Sequence, residues 1–180
     1  MKALLLIDIQ NDYFPGGRME LHHSEAAGEK ASELLEAFRN ANLPIFHVQH
    51  IASPNASFFL PGTDGAHIHM LVTPLAGEPV IVKHYPSSFR ETDLLEQLRA
   101  AGITELVIVG MMTHMCVDTT VRAAHDLSFA CTLAGDACAT KSLAFDGRSV
   151  TAQDVQTVYL AALHGTFAEV TDVNTIVAGL

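Results

Sequence analysis

Three side chains of this sequence are placed to do chemistry together. Asp8, Lys83 and Cys116 are a carboxylate, an ammonium and a thiol, each lying at or just past the end of a short apolar run. A thiol attacks carbonyl carbon as its thiolate. At neutral pH a free cysteine is only roughly 3% ionised. A nearby cation would raise that fraction, and so would a helix N-terminus, where unpaired backbone N–H groups favour negative charge. A carboxylate works differently, taking the thiol proton as attack begins and handing it to a leaving amine. The resulting oxyanion needs hydrogen-bond donors. The backbone N–H groups of Met112 and Cys116, next to the turn at Gly110, are the candidates. Such a set hydrolyses an amide through a thioester and requires no cofactor.

The elements that must position these residues are legible from pattern. The run Glu105 to Val109 is short, apolar and β-branched, which reads as a buried parallel strand. A helix follows the turn at Gly110, with Val117, Val121, Ala124 and Leu127 at apolar or small positions, and Cys116 near its first turn. Lys2 to Ile7 reads as a strand ending at Asp8, Ile45 to Gln49 as a second, and Pro79 to Lys83 as a third. Ser24 is a candidate cap for a helix reaching about Asn40, and Thr92 for one over Asp93 to Ala101. Phe129 to Leu133 reads as a fifth strand, Val150 to His164 as a helix, and Phe167 to Val170 as a last strand. Strands alternating with helices predict an α/β fold with a parallel sheet and helices on both faces. Ligands of such sheets bind beyond the strands' carboxyl ends, where strand order reverses. All three reactive residues fall on that rim. Residues 50–79 form a long connection carrying Phe58, Phe59 and Leu60, which suits a lid over a site.

Composition narrows the function classes. The 180 residues suit one domain spanning 1–180. A net charge of −10 argues against nucleic acid as a partner. No apolar run reaches membrane-spanning length. Three cysteines without regular spacing suit a reducing cytosol better than a disulfide framework. The absence of a Cys-x-x-Cys pair counts against thiol redox chemistry. Lys83 is the only Lys or Arg between Arg39 and Arg90, so a cation stands alone there.

The motifs together resemble the isochorismatase-like cysteine hydrolases, the superfamily of nicotinamidases, N-carbamoylsarcosine amidases and streptothricin hydrolases. The matching pieces are Leu6-Ile7-Asp8-Ile9-Gln10-Asn11-Asp12-Tyr13-Phe14, Val82-Lys83 with Ser88-Phe89 and Thr92-Asp93-Leu94, Val109 through Val117, and Gly135-Asp136-Ala137. They span nearly the whole chain in the family's order. The resemblance implies Asp8, Lys83 and Cys116 as a catalytic triad and a cis peptide between Met111 and Met112. It also implies a Rossmann-like, six-stranded, mainly parallel sheet in three layers, and a homo-oligomer. Two departures matter. The metal-binding nicotinamidases carry Asp-x-His after the second strand, whereas Phe46 to Ile51 here holds His47 and His50 and no aspartate. Isochorismatases that cleave a vinyl ether lack a nucleophilic cysteine, so Cys116 favours carbon–nitrogen bond hydrolysis.

Bland readings stand beside these. Cys131 and Cys138 read as buried structural thiols. The pairs His47/His50, His67/His69 and His84/His114 lie near loops, but a zinc site wants three or four ligands and an ordered surround, so no metal is expected. Gln10 either orients Asp8 or the substrate, or bonds to turn backbone. Phe14 and His114 are candidate substrate contacts, with loop packing and rim polarity as the alternatives. The expected protein is a cytoplasmic amidohydrolase for a small amide or carbamoyl compound. A hydrolase of a non-amide substrate and a non-catalytic scaffold of the same fold are the competing classes.

Overall fold

The computed structural model describes residues 1–180. Its centre is a six-stranded sheet built from β1 (Lys2–Ile7), β2 (Ile45–His50), β3 (Val80–Lys83), β4 (Glu105–Met111), β5 (Ala130–Ala139) and β8 (Glu169–Thr171). Their order is β3-β2-β1-β4-β5-β8, and every pairing is parallel. The chain walks outward from β1 to β3, then returns to lay β4 on the other side of β1. Strand order therefore reverses between β1 and β4.

The two faces divide by residue parity, as side chains on a strand must. Leu4, Leu6, Val107 and Val109 pack with Leu34, Leu35 and Phe38 of α1 (Ser24–Asn40) and Val173 and Ile176 of α5 (Val173–Ala178). Ala3, Leu5, Ile7, Leu106 and Ile108 pack on the opposite face. Their partners are Leu94 and Leu98 of α2 (Leu94–Ala100), Val121 and Ala124 of α3 (Asp118–Asp126) and Leu163 of α4 (Ala152–Leu163). Burial on both faces explains why these strands read as unbroken apolar runs. No helix is long and apolar enough to cross a membrane.

The structure differs from the pattern in places. The residue capping α1 is His23, with φ +57°, and Ser24 is already helical. Strand β5 runs on to Ala139, because a register break between Ile108 and Gly110 lets its second half pair with the end of β4. A hairpin of β6 (Leu143–Phe145) and β7 (Arg148–Val150) and the short helix α5 lie where pattern gave no element. Segments this short carry too few periods to register in sequence.

The connection 50–79 is tied down along its length. Asp12 Oδ2 accepts from Phe59 N at 2.6 Å. The His69 N–H donates to Ile9 O at 2.9 Å, and Gln49 Nε2 donates to Ala66 O at 2.8 Å. At its far end Arg39 grips Glu78 through Nε–Oε1 at 2.8 Å and Nη2–Oε2 at 2.9 Å. Glu78 in turn accepts from the Leu75 N–H and meets His47 Nε2 at 3.0 Å.

Candidate active site

Asp8 follows β1 with φ +52°, a conformation uncommon outside glycine. Lys83 ends the edge strand β3, pairing in register with His50 at the end of β2. Its side chain passes across the end of β2 to reach β1. Cys116 lies in a wide turn, Thr113–Val117, ahead of α3 rather than in the helix's first turn. The Val117 N–H closes that turn on Met112 O at 3.3 Å, five residues back, the spacing of a π turn, which recurs at functional sites. The Met111–Met112 peptide is cis.

These three elements bring the three reactive side chains together. Lys83 Nζ is 2.7 Å from Asp8 Oδ2 and 3.3 Å from Cys116 Sγ. It also donates to Tyr85 O at 3.0 Å and meets His50 Nδ1 at 2.9 Å. Asp8 and Lys83 are fully buried and Cys116 nearly so. Neither Asp8 Oδ1 nor Oδ2 has a hydrogen-bond partner, so Lys83 meets the carboxylate as an ion pair and the carboxylate keeps acceptor capacity for the thiol proton.

The electrostatics bear on the two ways of activating the sulfur, as a thiolate or through Asp8 as proton acceptor. The Cys116 thiol is pushed well above the ordinary range, because burial and then the Asp8 carboxylate outweigh the lowering effect of Lys83. Burial and Asp8 thus favour the protonated thiol, while Lys83 favours the thiolate. Burial also raises Cys131 to about 11 and Cys138 to about 12. Burial works against the Lys83 charge, but Asp8 and Cys116 prevail and hold the ammonium above its usual value. Burial, then the Lys83 cation, pushes His50 down to about 4, so its ring is neutral.

The residues expected to touch substrate are occupied otherwise. Gln10 is buried, its Nε2 donating to His50 O at 2.9 Å and Ala66 O at 2.8 Å while Oε1 accepts from the His50 N–H at 2.8 Å. It is a backbone clamp, with both amide atoms taken. Phe14 turns away, stacking on His69 at 3.6 Å between ring centres and resting against α1 at Gly28. Its neighbour Tyr13 takes the inward position. The Tyr13 hydroxyl is raised by burial, then by the charges of Cys116 and Asp8. Its ring meets Phe59 at 4.6 Å and Phe58 at 5.7 Å, and Phe59 meets His50 at 5.9 Å. His114 shares a 2.6 Å hydrogen bond with Thr140 Oγ1 and sets its ring edge against Tyr159. Sequence reasoning left Tyr13 without a role and weighed His50 only as a metal ligand. Tyr13 sits next to Phe14, and only the turn's backbone decides which ring faces in. His50 had one signal, its place at the carboxyl end of a strand.

One grouping invites a metal. Single ligand atoms of Asp8, His50 and Cys116 lie within 4.8 Å of one another. The group does not fit an ion here, because the Lys83 ammonium fills the space the three share. His47, the other histidine of β2, is engaged by Glu78.

Residues 2–175 match the family model of the isochorismatase domain. The chain belongs to the isochorismatase family. An isochorismatase family protein of Bacillus subtilis, YddQ, is 51% identical over 169 residues, which cover 93% of this chain and 94% of that one. An isochorismatase-family structure from Oleispira antarctica superposes with a TM-score of 0.97 at 48% identity, covering 99% of this chain and 96% of its own. The N-carbamoylsarcosine amidase of Thermoplasma acidophilum gives a TM-score of 0.81 at 26% identity, with 96% of each chain covered. Other relatives carry the names streptothricin hydrolase and nicotinamidase. The chain is an isochorismatase-family hydrolase on its α/β fold.

Proposed function

We propose that this hydrolase cleaves a carbon–nitrogen bond, amide or carbamoyl, in a small molecule, with Cys116 as nucleophile. The observation that carries the reading is a buried ammonium held 2.7 Å from the Asp8 carboxylate and 3.3 Å from the Cys116 sulfur. The amidases among the relatives support the same class of bond.

In this scheme the resting thiol is neutral, so ionisation and attack are coupled. Asp8 takes the thiol proton as Sγ bonds to the carbonyl carbon. Lys83 offsets the negative charge passing between sulfur and carboxylate. The backbone N–H groups of Met112 and Cys116 receive the oxyanion. Asp8 then protonates the leaving nitrogen, the C–N bond breaks, and a thioester remains. Water attacks the thioester with Asp8 again as base. The C–S bond breaks and the thiol recovers its proton. The wall of Tyr13, Phe58 and Phe59 favours substrates with an apolar or flat portion.

The test is release of ammonia or amine from nicotinamide, ureides, carbamoyl amino acids and lactams. The wild type turns over at least one of these, and Cys116→Ala and Cys116→Ser lose the activity while unfolding at the same temperature. Acyl addition to the Cys116 peptide, detected by mass spectrometry after rapid quenching, supports the thioester. Undiminished release by Cys116→Ala removes the nucleophile assignment.

A further inference from the structure

A phenol hydroxyl stands beside the reacting set with nothing in the chain to bond to. Tyr13 is only 1% exposed, yet its hydroxyl makes no hydrogen bond to any group of the protein. Buried tyrosine hydroxyls ordinarily find a partner. Nor is this oxygen one of the sealed unsatisfied atoms, which are the two Asp8 carboxylate oxygens and His47 Nδ1. It therefore faces open space. The residue beneath it is fixed. The Tyr13 N–H donates to Gln10 O and its C=O accepts from the Leu21 N–H, both at 3.0 Å. Its ring packs on Phe59 at 4.6 Å and on Phe58 at 5.7 Å. That wall runs on to the reacting set: Phe59 meets the His50 ring at 5.9 Å, and His50 Nδ1 meets Lys83 Nζ at 2.9 Å. From this geometry we infer that Tyr13 is a specificity-determining residue: its hydroxyl donates a hydrogen bond to an uncharged acceptor on the flat portion of the substrate, beyond the scissile bond.

The division of roles follows from what is already engaged. The scheme gives the scissile carbonyl oxygen to the Met112 and Cys116 N–H groups and the leaving nitrogen to Asp8. Tyr13 stands on the aromatic wall, where the rest of the substrate must lie. Its hydroxyl keeps its proton, because burial and then the charges of Cys116, Asp8 and Asp12 hold it well above the usual value. A protonated phenol can donate, and the same carboxylates disfavour an anionic acceptor. A bound molecule without an acceptor there leaves the buried hydroxyl unpaired, and that asymmetry is what discriminates between substrates.

The inference rests on the proposed amide hydrolysis, and its test reads binding without turnover. The Cys116→Ala protein is titrated calorimetrically with benzamide and with relatives that each add one acceptor: picolinamide, nicotinamide, isonicotinamide, 3-acetylbenzamide and 4-acetylbenzamide. At least one of these binds tighter than benzamide by about tenfold, the factor of one hydrogen bond. Tyr13→Phe in the same background removes only the oxygen and makes that amide bind no better than benzamide. No internal bond is lost, so this variant unfolds at or above the parent's temperature. The inference is overturned if benzamide binds as tightly as all of its relatives, if none of them binds, or if the preference survives Tyr13→Phe. A marked fall in the melting temperature of Tyr13→Phe also overturns it, by showing the hydroxyl bonded inside the chain. The comparison among amides needs no change at Tyr13 and decides the matter even if that variant does not fold. An acceptor-bearing amide that binds as expected and is not hydrolysed by the wild type counts against the proposed function alone.

Discussion

Replacing Asp8 by Asn removes the buried counter-charge of Lys83 and keeps the side chain's shape. In the wild type the two charges are 2.7 Å apart and out of water. At an effective dielectric of about 20 that attraction is worth about 6 kcal/mol gross. His50 and Tyr85 O still accept from the ammonium in the variant, so part of the loss is offset. Removing one partner of a buried pair costs about 3–5 kcal/mol, and Asp8→Asn should fall in that range at pH 7, or roughly 10 °C in melting temperature. The pH dependence is the sharper part. In the wild type Lys83 sits above its usual value, so its contribution is complete below about pH 10.5 and fades only above it. Without Asp8 the largest influence, burial, lowers Lys83, and the folded variant disfavours the charged form. Its deficit should therefore shrink as pH rises from 7 to 9.5, with a slope approaching about 1.4 kcal/mol per pH unit. Urea unfolding of both proteins at half-unit pH steps measures this. A deficit under about 1 kcal/mol, or one that stays constant with pH, would refute a charged, desolvated Lys83–Asp8 pair.

Other outcomes follow from neighbouring contacts. Glu78 is held down to about 2 by the Arg39 fork and then by the Leu75 N–H and His47, so it stabilises the fold above about pH 4.5 and progressively less as pH falls toward 2. Glu78→Gln should cost about 2 kcal/mol at pH 7, and its melting curve should converge on the wild type's as pH drops from 5 to 3. Gly110 has φ +142°, and a Cβ there would run into the Ile7 carbonyl oxygen of the neighbouring strand. Gly110→Ala should lose about 3 kcal/mol or more, seen as a large drop in urea midpoint or as insoluble expression. Gln10→Ala strands the His50 N–H and C=O that it clamps, while Ala66 O keeps its bond from Gln49 Nε2. It should cost about 2–4 kcal/mol and lower turnover while Cys116 remains intact, read by denaturation and amine release on one preparation.

What the sequence determined by itself is the frame and the chemical set. Fully buried strands announce themselves as apolar runs, and the residues closing them are forced to one rim by a parallel sheet. Asp8, Lys83 and Cys116 could thus be grouped without coordinates. Tertiary structure decided everything that depends on what stands beside those residues. Whether Tyr13 or Phe14 faces the sulfur turns on the backbone of a short turn that both share. Gln10 became a clamp because β2 ends within reach of its amide, a distance of 40 residues along the chain. His50 entered the site because the Lys83 side chain crosses the end of β2 to reach Asp8. The acidity of Cys116 came out opposite to the local expectation. The helix N-terminus that follows it favours a thiolate, but desolvation and a carboxylate from β1 act on it only in the folded chain. Periodicity reports which face a residue shares. Charge state reports the sum of fields from groups that folding alone assembles.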